Sequence, residues 1–213
     1  MTHRLSRIPR SDALDNRERI LEAARALFAT EGLNVPLREV ARRADVGPAT
    51  LYRHFPTKEI LATEAFADQM ATCQRVVDEG LADQDPWRGF RSVIEKICEL
   101  HSHDRGFTAA FVSAFPKAVD FTTSRDSALK AIADLASRAK AAGKLRPDFV
   151  IDDLILMLMA NNGIQAASPA AQVAASRRFA ALVIQAFQAV PERVSLPPVG
   201  RLALVSPGMI LSD

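Results

Sequence analysis

Between residues 16 and 61 the chain is cut into short helical pieces by its own punctuation. Gly32 suits the left-handed residue that closes a helix, Pro36 and Pro48 suit helix starts where a missing N–H costs little, and Pro56 pushes its predecessor out of helical geometry. Asp45-Val46-Gly47 supplies a further break. The spacing predicts a helix from about Asn16 to Glu31, with Asp15 and Glu18 as its capping pair. A second helix follows from Leu37 to Ala44, and a third of about two turns runs from Pro48 to before Pro56. Ile20, Ala24, Leu27 and Phe28 fall on one face of the first helix, and Leu37, Val40, Ala41 and Ala44 on one face of the second.

Helical periodicity continues downstream. Thr57 can cap one long helix reaching about Ala82, with Ile60, Leu61, Met70, Cys73, Val77 and Leu81 as its apolar stripe. After the Asp83–Pro86 break, helices are expected at Trp87–Ser102, Phe107–Val119, Arg125–Ala142, Asp148–Gly163 and Ala170–Val190. Neither strand alternation nor an internal repeat is visible, so the fold is expected to be all-α. The divisions are a flexible basic arm (1–14), a helix-turn-helix domain (15–61), a larger helical domain (62–190) and an extended or disordered tail (191–213) with prolines at 197, 198 and 207.

Composition narrows the class. With 48% apolar and 24% charged residues the chain should bury a core as ordinary soluble proteins do. No apolar run reaches the length of a membrane span, since Leu154–Ala160 runs straight into Asn161 and Asn162, and the basic start lacks the apolar stretch of a secretory signal. The expected location is cytoplasmic, with no membrane partner. Cys73 and Cys98 are too few for a disulfide framework and are expected as buried thiols. A net charge of +2 does not announce a nucleic-acid partner, but residues 1–60 hold 11 Arg and Lys against 8 Asp and Glu, while the remainder holds 16 against 17.

The third helix carries the chemistry. With Leu51 and Phe55 inward, Ala49 and Arg53 point outward and Thr50 and Tyr52 lie on the flanks. A guanidinium, a hydroxyl, a phenol and a methyl can bond phosphates, read guanine edges or touch a thymine methyl. Helix, turn and helix alone is also an ordinary αα-hairpin, and His54 alone reads as a structural hydrogen-bonder. Tyr52 is the only tyrosine, at a position where packing would accept Phe or Leu equally well.

The run from Leu37 to Leu61, with Thr50-Leu-Tyr-Arg-His-Phe55 and Lys58 at its centre and the Ile20–Leu33 helix before it, resembles the TetR family of bacterial regulators. The resemblance implies phosphate contacts from Thr50, Tyr52, His54 and Lys58, and positions near base edges for Arg38, Pro48, Ala49 and Arg53. Gly47 stands where the family commonly has Ser or Thr, which leaves backbone N–H groups to face a phosphate there. Asp45 and Ala49 stand where glycine is common, and Asp tolerates left-handed geometry. Arg4, Arg7 and Arg10 could lie in a minor groove or stay solvated.

The resemblance also implies that residues 62–190 bind an effector and dimerise. Leu154, Ile155, Leu158 and Met159 of the penultimate helix, with Ala171, Ala174, Ala175, Phe179, Leu182, Val183 and Ala186 of the last, would pair with a symmetry mate as a four-helix bundle. Two recognition helices about one DNA turn apart call for a near-palindromic operator. A largely apolar effector pocket is expected beside the long helix, lined by Phe66, Met70 and Cys73, then Phe90, Ile94 and Ile97. Phe107, Phe111, Phe115, Met157 and Asn161 complete the expected lining.

Cys98, His101, His103 and Asp104 could hold a transition metal, but only Cys98 and His101 share a helix face. The preferred reading is a helix terminus whose imidazoles, when charged, complement the dipole, with no metal and no cofactor. No nucleophile elbow, phosphate-cradling glycine loop or spaced carboxylate pair is present, so no enzyme is expected. The expected function is a dimeric, ligand-responsive repressor whose moving part is the Thr57–Ala82 helix. An effector-independent architectural DNA binder is the alternative.

Overall fold

The structure is a computed structural model and describes residues 10–112, 119–190 and 197. The residues of the basic arm before 10, Phe115 and most of the tail lie outside the described residues. In chain order the helices are α1 (Arg10–Glu31), α2 (Leu37–Arg43), α3 (Pro48–His54), α4 (Lys58–Ala65), α5 (Ala67–Ala82), α6 (Pro86–His103), α7 (Arg105–Val112), α8 (Val119–Ala141), α9 (Ile151–Asn162) and α10 (Pro169–Phe187). Among the described residues no strand forms, and Leu145 and Gln188 make only an isolated antiparallel bridge. The fold is all-α, a short helical N-terminal unit followed by a larger helical body.

Local chemistry explains most helix ends. Gly32 takes φ +76° and returns its N–H to the Phe28 carbonyl at 3.1 Å. Thr57 caps α4 through Ile60 N at 3.3 Å, and Asp85 caps α6 through the N–H groups of Trp87 and Arg88. Ser168 accepts from Ala171 N at the start of α10. Two expectations need correction. Helix α1 begins at Arg10, so residues 10–14 of the expected arm are helical and Asp15 is interior, not a cap; no helix-breaking residue stands between Pro9 and Asn16. The expected single helix from Thr57 to Ala82 is two, interrupted at Phe66, whose backbone sits at φ −109° and ψ 12°.

Tertiary packing accounts for that interruption. Phe66 is fully buried, with its ring 6.0 Å from Phe28 of α1 and 5.9 Å from Phe107 of α7. Two aromatic neighbours on different elements fix the side chain, and the backbone bends to keep both contacts.

Helix α6 is the axis of the body and packs against α5, α7, α8, α9 and α10. It buries Trp87, Phe90, Val93, Ile94, Ile97 and Cys98, as well as Gly89 and His101. A single connected core runs from Ile20 of α1 to Phe187 of α10. Close approach between helices rests on small residues. A Cβ on Gly89 would lie 2.3 Å from the Gly80 carbonyl, so α5 and α6 cross backbone to backbone. A Cβ on Gly106 would lie 2.6–2.8 Å from backbone atoms of Phe28 and Ala29, so the start of α7 rests directly on α1.

A Gly106→Ala methyl would meet backbone, which no rotamer change relieves. The expected loss of stability is about 1–3 kcal/mol, typical of overpacking, seen as a lower urea midpoint with an unchanged slope. A variant as stable as the parent would show that α1 and α7 do not meet this closely.

Candidate nucleic-acid interface and effector region

The exposed face of α3 is built by locking its opposite face. Leu51 and Phe55 are both fully buried in the core. Each large apolar side chain buried in this way contributes about 1.5–3 kcal/mol, more than the exposed ion pairs nearby can supply. Arg17 places its guanidinium 5.5 Å from the Phe55 ring centre and pairs with Glu64, joining α1 to α4. The turn between α2 and α3 carries Asp45 at φ 52°, the one non-glycine residue among those described with positive φ. Arg19 donates to both its carbonyl and its carboxylate at 3.1 Å, and Val46 N closes the turn onto the Ala41 carbonyl at 3.0 Å. Left-handed geometry at an Asp is thus held from α1, a contribution of Arg19 that the sequence reading missed. An arginine directly before Ile20 carries no visible signal of a partner 26 residues away.

Gly47 caps α3 and Pro48 occupies its first turn. Gly47, Pro48, Ala49, Tyr52, Arg53 and Arg38 are exposed, and Thr50, His54 and Lys58 are half-buried. Tyr52 keeps 53% of its surface open, so packing does not explain a phenol there. Arg53 donates to the Ala49 carbonyl of its own helix at 3.2 Å, and Lys58 Nζ donates to the Leu33 carbonyl at 3.1 Å. Both cations are therefore held beside the α3 surface.

The expected effector lining is differently disposed. Phe66, Cys73, Phe90, Ile94, Ile97, Phe107, Phe111, Met157 and Asn161 are packed in the core instead of facing open space, and Phe115 lies outside the described residues. Phe90 belongs to a separate aromatic cluster with Trp87, Phe149 and Phe187, at ring distances of 5.8, 5.4 and 6.4 Å. Asn161 donates to the Cys98 carbonyl at 3.0 Å and accepts from Ser176 at 2.8 Å, tying α6, α9 and α10 together. Of the expected residues, Met70 borders a cleft of about 560 Å³, together with Thr63, Ala67, Ala71, Gln74, Thr123, Ser124 and Ser127. Thr63, Ala67, Met70, Ala71 and Gln74 recur at helical spacing, and the three hydroxyl residues on α8 are the signal that a search for apolar residues alone passes over.

The cluster at the end of α6 is also rearranged. His101 is fully buried while His103 is exposed, and Cys98 points its Sγ toward Met157 Sδ at 3.8 Å. Burial pushes the Cys98 thiol up to about 12 and the Cys73 thiol up to about 11, so neither is a thiolate at neutral pH. Burial also pushes the His101 imidazole down to about 3, so it is neutral and gains nothing from the helix dipole, contrary to the charged terminus expected.

Residues 20–65 match the family described as bacterial regulatory proteins, tetR family, and residues 85–187 match the C-terminal domain of SbtR-like transcriptional regulators. The chain belongs to the TetR family. It is similar to the HTH-type transcriptional repressor KstR of Mycobacterium tuberculosis, 30% identical over 137 residues that make up 63% of this chain and 62% of that protein. It is also similar to KstR of Rhodococcus jostii, 34% identical over 104 residues, 47% of this chain and 48% of the relative. The chain thus spans less than two thirds of the length of these curated relatives. Among solved structures, the ketosteroid transcriptional regulator KstR2 of Mycobacterium tuberculosis shares the fold with a TM-score of 0.61 at 19% identity, over 81% of this chain and 94% of that one. Family and relatives are transcriptional regulators, not enzymes. Among the described residues no helix is long and apolar enough to cross a membrane.

The buried imidazole sets a pH dependence in this TetR-family chain. An unfolded histidine takes its proton near 6.5, whereas native His101 does so only near 3. Between those values the unfolded chain binds the extra proton, so acidification favours unfolding, and the native advantage is complete only above 6.5. This group should cost about 1.4 kcal/mol of stability for each pH unit lost within that window. His101→Gln should remove that part of the slope in urea titrations at roughly pH 7, 6 and 5; equal slopes for parent and variant would contradict a buried neutral imidazole.

Proposed function

We propose that this chain is a homodimeric, sequence-specific DNA-binding repressor that docks α3 in the major groove and leaves its operator when a small effector binds. The observation that carries the reading is an α3 whose buried face is locked by Leu51 and Phe55 while Tyr52, Arg53, Pro48 and Ala49 stand open beside Arg38. Thr50, Tyr52, His54, Lys58 and the N–H groups after Gly47 are the phosphate contacts in this reading, and Arg38, Pro48, Ala49 and Arg53 approach base edges. Lys58 and Arg53 need only exchange one carbonyl partner for a phosphate or base.

Dimerisation is supported by the outer face of α9 and α10. Leu156 and Met159 keep 65% and 56% of their surfaces open, and Leu182 of α10 is exposed too. Exposed apolar residues on adjacent helices suit a self-complementary two-fold contact. A two-fold pair of α3 helices roughly 34 Å apart reads a near-palindromic operator. The stripe differs in part from the sequence expectation, because Leu154 and Leu158 turn inward.

The cleft bordered by Met70 supports an effector-responsive regulator over an architectural DNA binder, since it opens beside the α4–α5 interruption at Phe66. An effector acts by binding the DNA-incompetent arrangement more tightly than the competent one. A regulator of this kind works in the cytoplasm.

Tyr52→Ala should weaken operator binding by about 1–3 kcal/mol while helicity is kept, and Lys58→Ala should lower the salt slope by about one unit. The affinities are measured on DNA selected from genomic fragments; unchanged affinity for both variants would refute the interface. Leu156→Glu should shift the sedimentation coefficient toward a monomer, and a dimer unaffected by it would place the contact elsewhere.

A further inference from the structure

Among the described residues, two buried acceptors at the joint of α5, α6 and α7 have no donor. His101 Nε2 and Gln69 Oε1 are both shut off from solvent and without a hydrogen-bond partner. Their other polar atoms each have a partner. Gln69 Nε2 donates to Asp104 Oδ2 at 3.0 Å, while Asp104 Oδ1 accepts from Phe107 N at 2.9 Å. That bond fixes which end of the Gln69 amide is its oxygen.

The tautomer of His101 follows from Thr108. The Thr108 oxygen lies 2.9 Å from His101 Nδ1, and 3.2 Å from each of the His101 and Asp104 carbonyls. Its one proton goes to a carbonyl, so it turns a lone pair toward the ring and Nδ1 carries the hydrogen. Nε2 is then a bare lone pair, with the ring of Phe107 4.8 Å and that of Phe111 5.3 Å from the imidazole. Leaving a buried acceptor unpaired carries a desolvation penalty, which a donor arriving from outside recovers.

We infer that His101 Nε2 anchors a hydroxyl or N–H donor on a neutral, mainly apolar effector. The inference rests on the effector-responsive reading above, places the anchor at the α6–α7 joint instead of in the cleft bordered by Met70, and adds the polarity of the ligand. A ketone, ether or carboxylate would set lone pair against lone pair. The aromatic surroundings disfavour an anion further, because no cation accompanies the imidazole among its ring and hydrogen-bond contacts. The cleft bordered by Met70 is not lined by His101, whose ring is covered by Phe107 and Phe111 of α7, so an occupant there displaces those rings. Phe107 of α7 touches Phe66 at the α4–α5 interruption, and Gly106 touches α1. Binding at His101 therefore acts on both contacts that seat the N-terminal unit.

The test uses the full chain with ¹⁵N-labelled histidine and three matched probes: 1-octanol, 2-octanone and octanoate. In the ligand-free protein Nε2 should report as an unprotonated nitrogen without a hydrogen bond. Saturating 1-octanol should move it toward the hydrogen-bonded value, whereas 2-octanone and octanoate should not. Thr108→Val removes the acceptor that holds the proton on Nδ1, so the ring can present Nε2–H, and preference should swing by about tenfold toward 2-octanone. An Nε2 already hydrogen-bonded without ligand, equal responses to all three probes, or no response to any of them overturns the anchor. DNA binding is followed in parallel. A probe that releases DNA while Nε2 stays unmoved overturns the anchor and leaves the regulator reading intact. Octanol binding at Nε2 without effect on DNA upholds the anchor and removes the effector reading.

Discussion

The contact between α1 and α7 is the constraint on which the rest of the molecule depends. Gly106 brings the first turn of α7 against the backbone of Phe28 and Ala29, with no room for even a methyl. Once α7 is that close, Phe107 reaches Phe66, and Phe66 reaches Phe28. The three rings then fix where the chain leaves the N-terminal unit. Close-packed contacts of this kind shift between discrete arrangements instead of deforming smoothly. The position of α3 is therefore tied to the packing of the body.

Around that seam, rigid and exposed parts are divided sharply. Leu51 and Phe55 hold α3 by burial, while the Arg19–Asp45 and Arg17–Glu64 pairs hold the turn and the exit in place. The surface so presented has few obligations to the fold. Its cations make single bonds to backbone carbonyls, which DNA can replace at little cost. On α9 and α10 the same economy leaves Leu156, Met159 and Leu182 open.

Local punctuation made the N-terminal unit legible in the sequence. Gly32, Pro48, Pro56 and Thr57 each act on their own backbone, and their helices end where those residues demand. The inward pair Leu51 and Phe55 followed from helical period alone. What was not legible depends on partners distant in the chain. The interruption at Phe66 comes from Phe28 and Phe107, and the turn at Asp45 is steadied by Arg19. The effector lining was overread for a related reason. Apolar residues on facing helices predict contact, and contact fills space as readily as it encloses it. Phe90 filled an aromatic cluster, and Asn161 a polar link between helices. His101 was misjudged because a helix-terminal histidine gives no sign that Phe107 and Phe111 will bury it.

If the α1–α7 contact joins the two parts into one mechanical unit, they must open together. Native-state hydrogen exchange on the full chain measures this directly. The account predicts that the buried stretch of α1 from Ile20 to Phe28 exchanges with the same opening free energy as Val93–Ile97 of α6 and the α7 residues Phe107–Phe111. An α1 that exchanges at distinctly lower free energy, while α6 and α7 stay protected, would mean that the N-terminal unit opens on its own and would contradict the coupling.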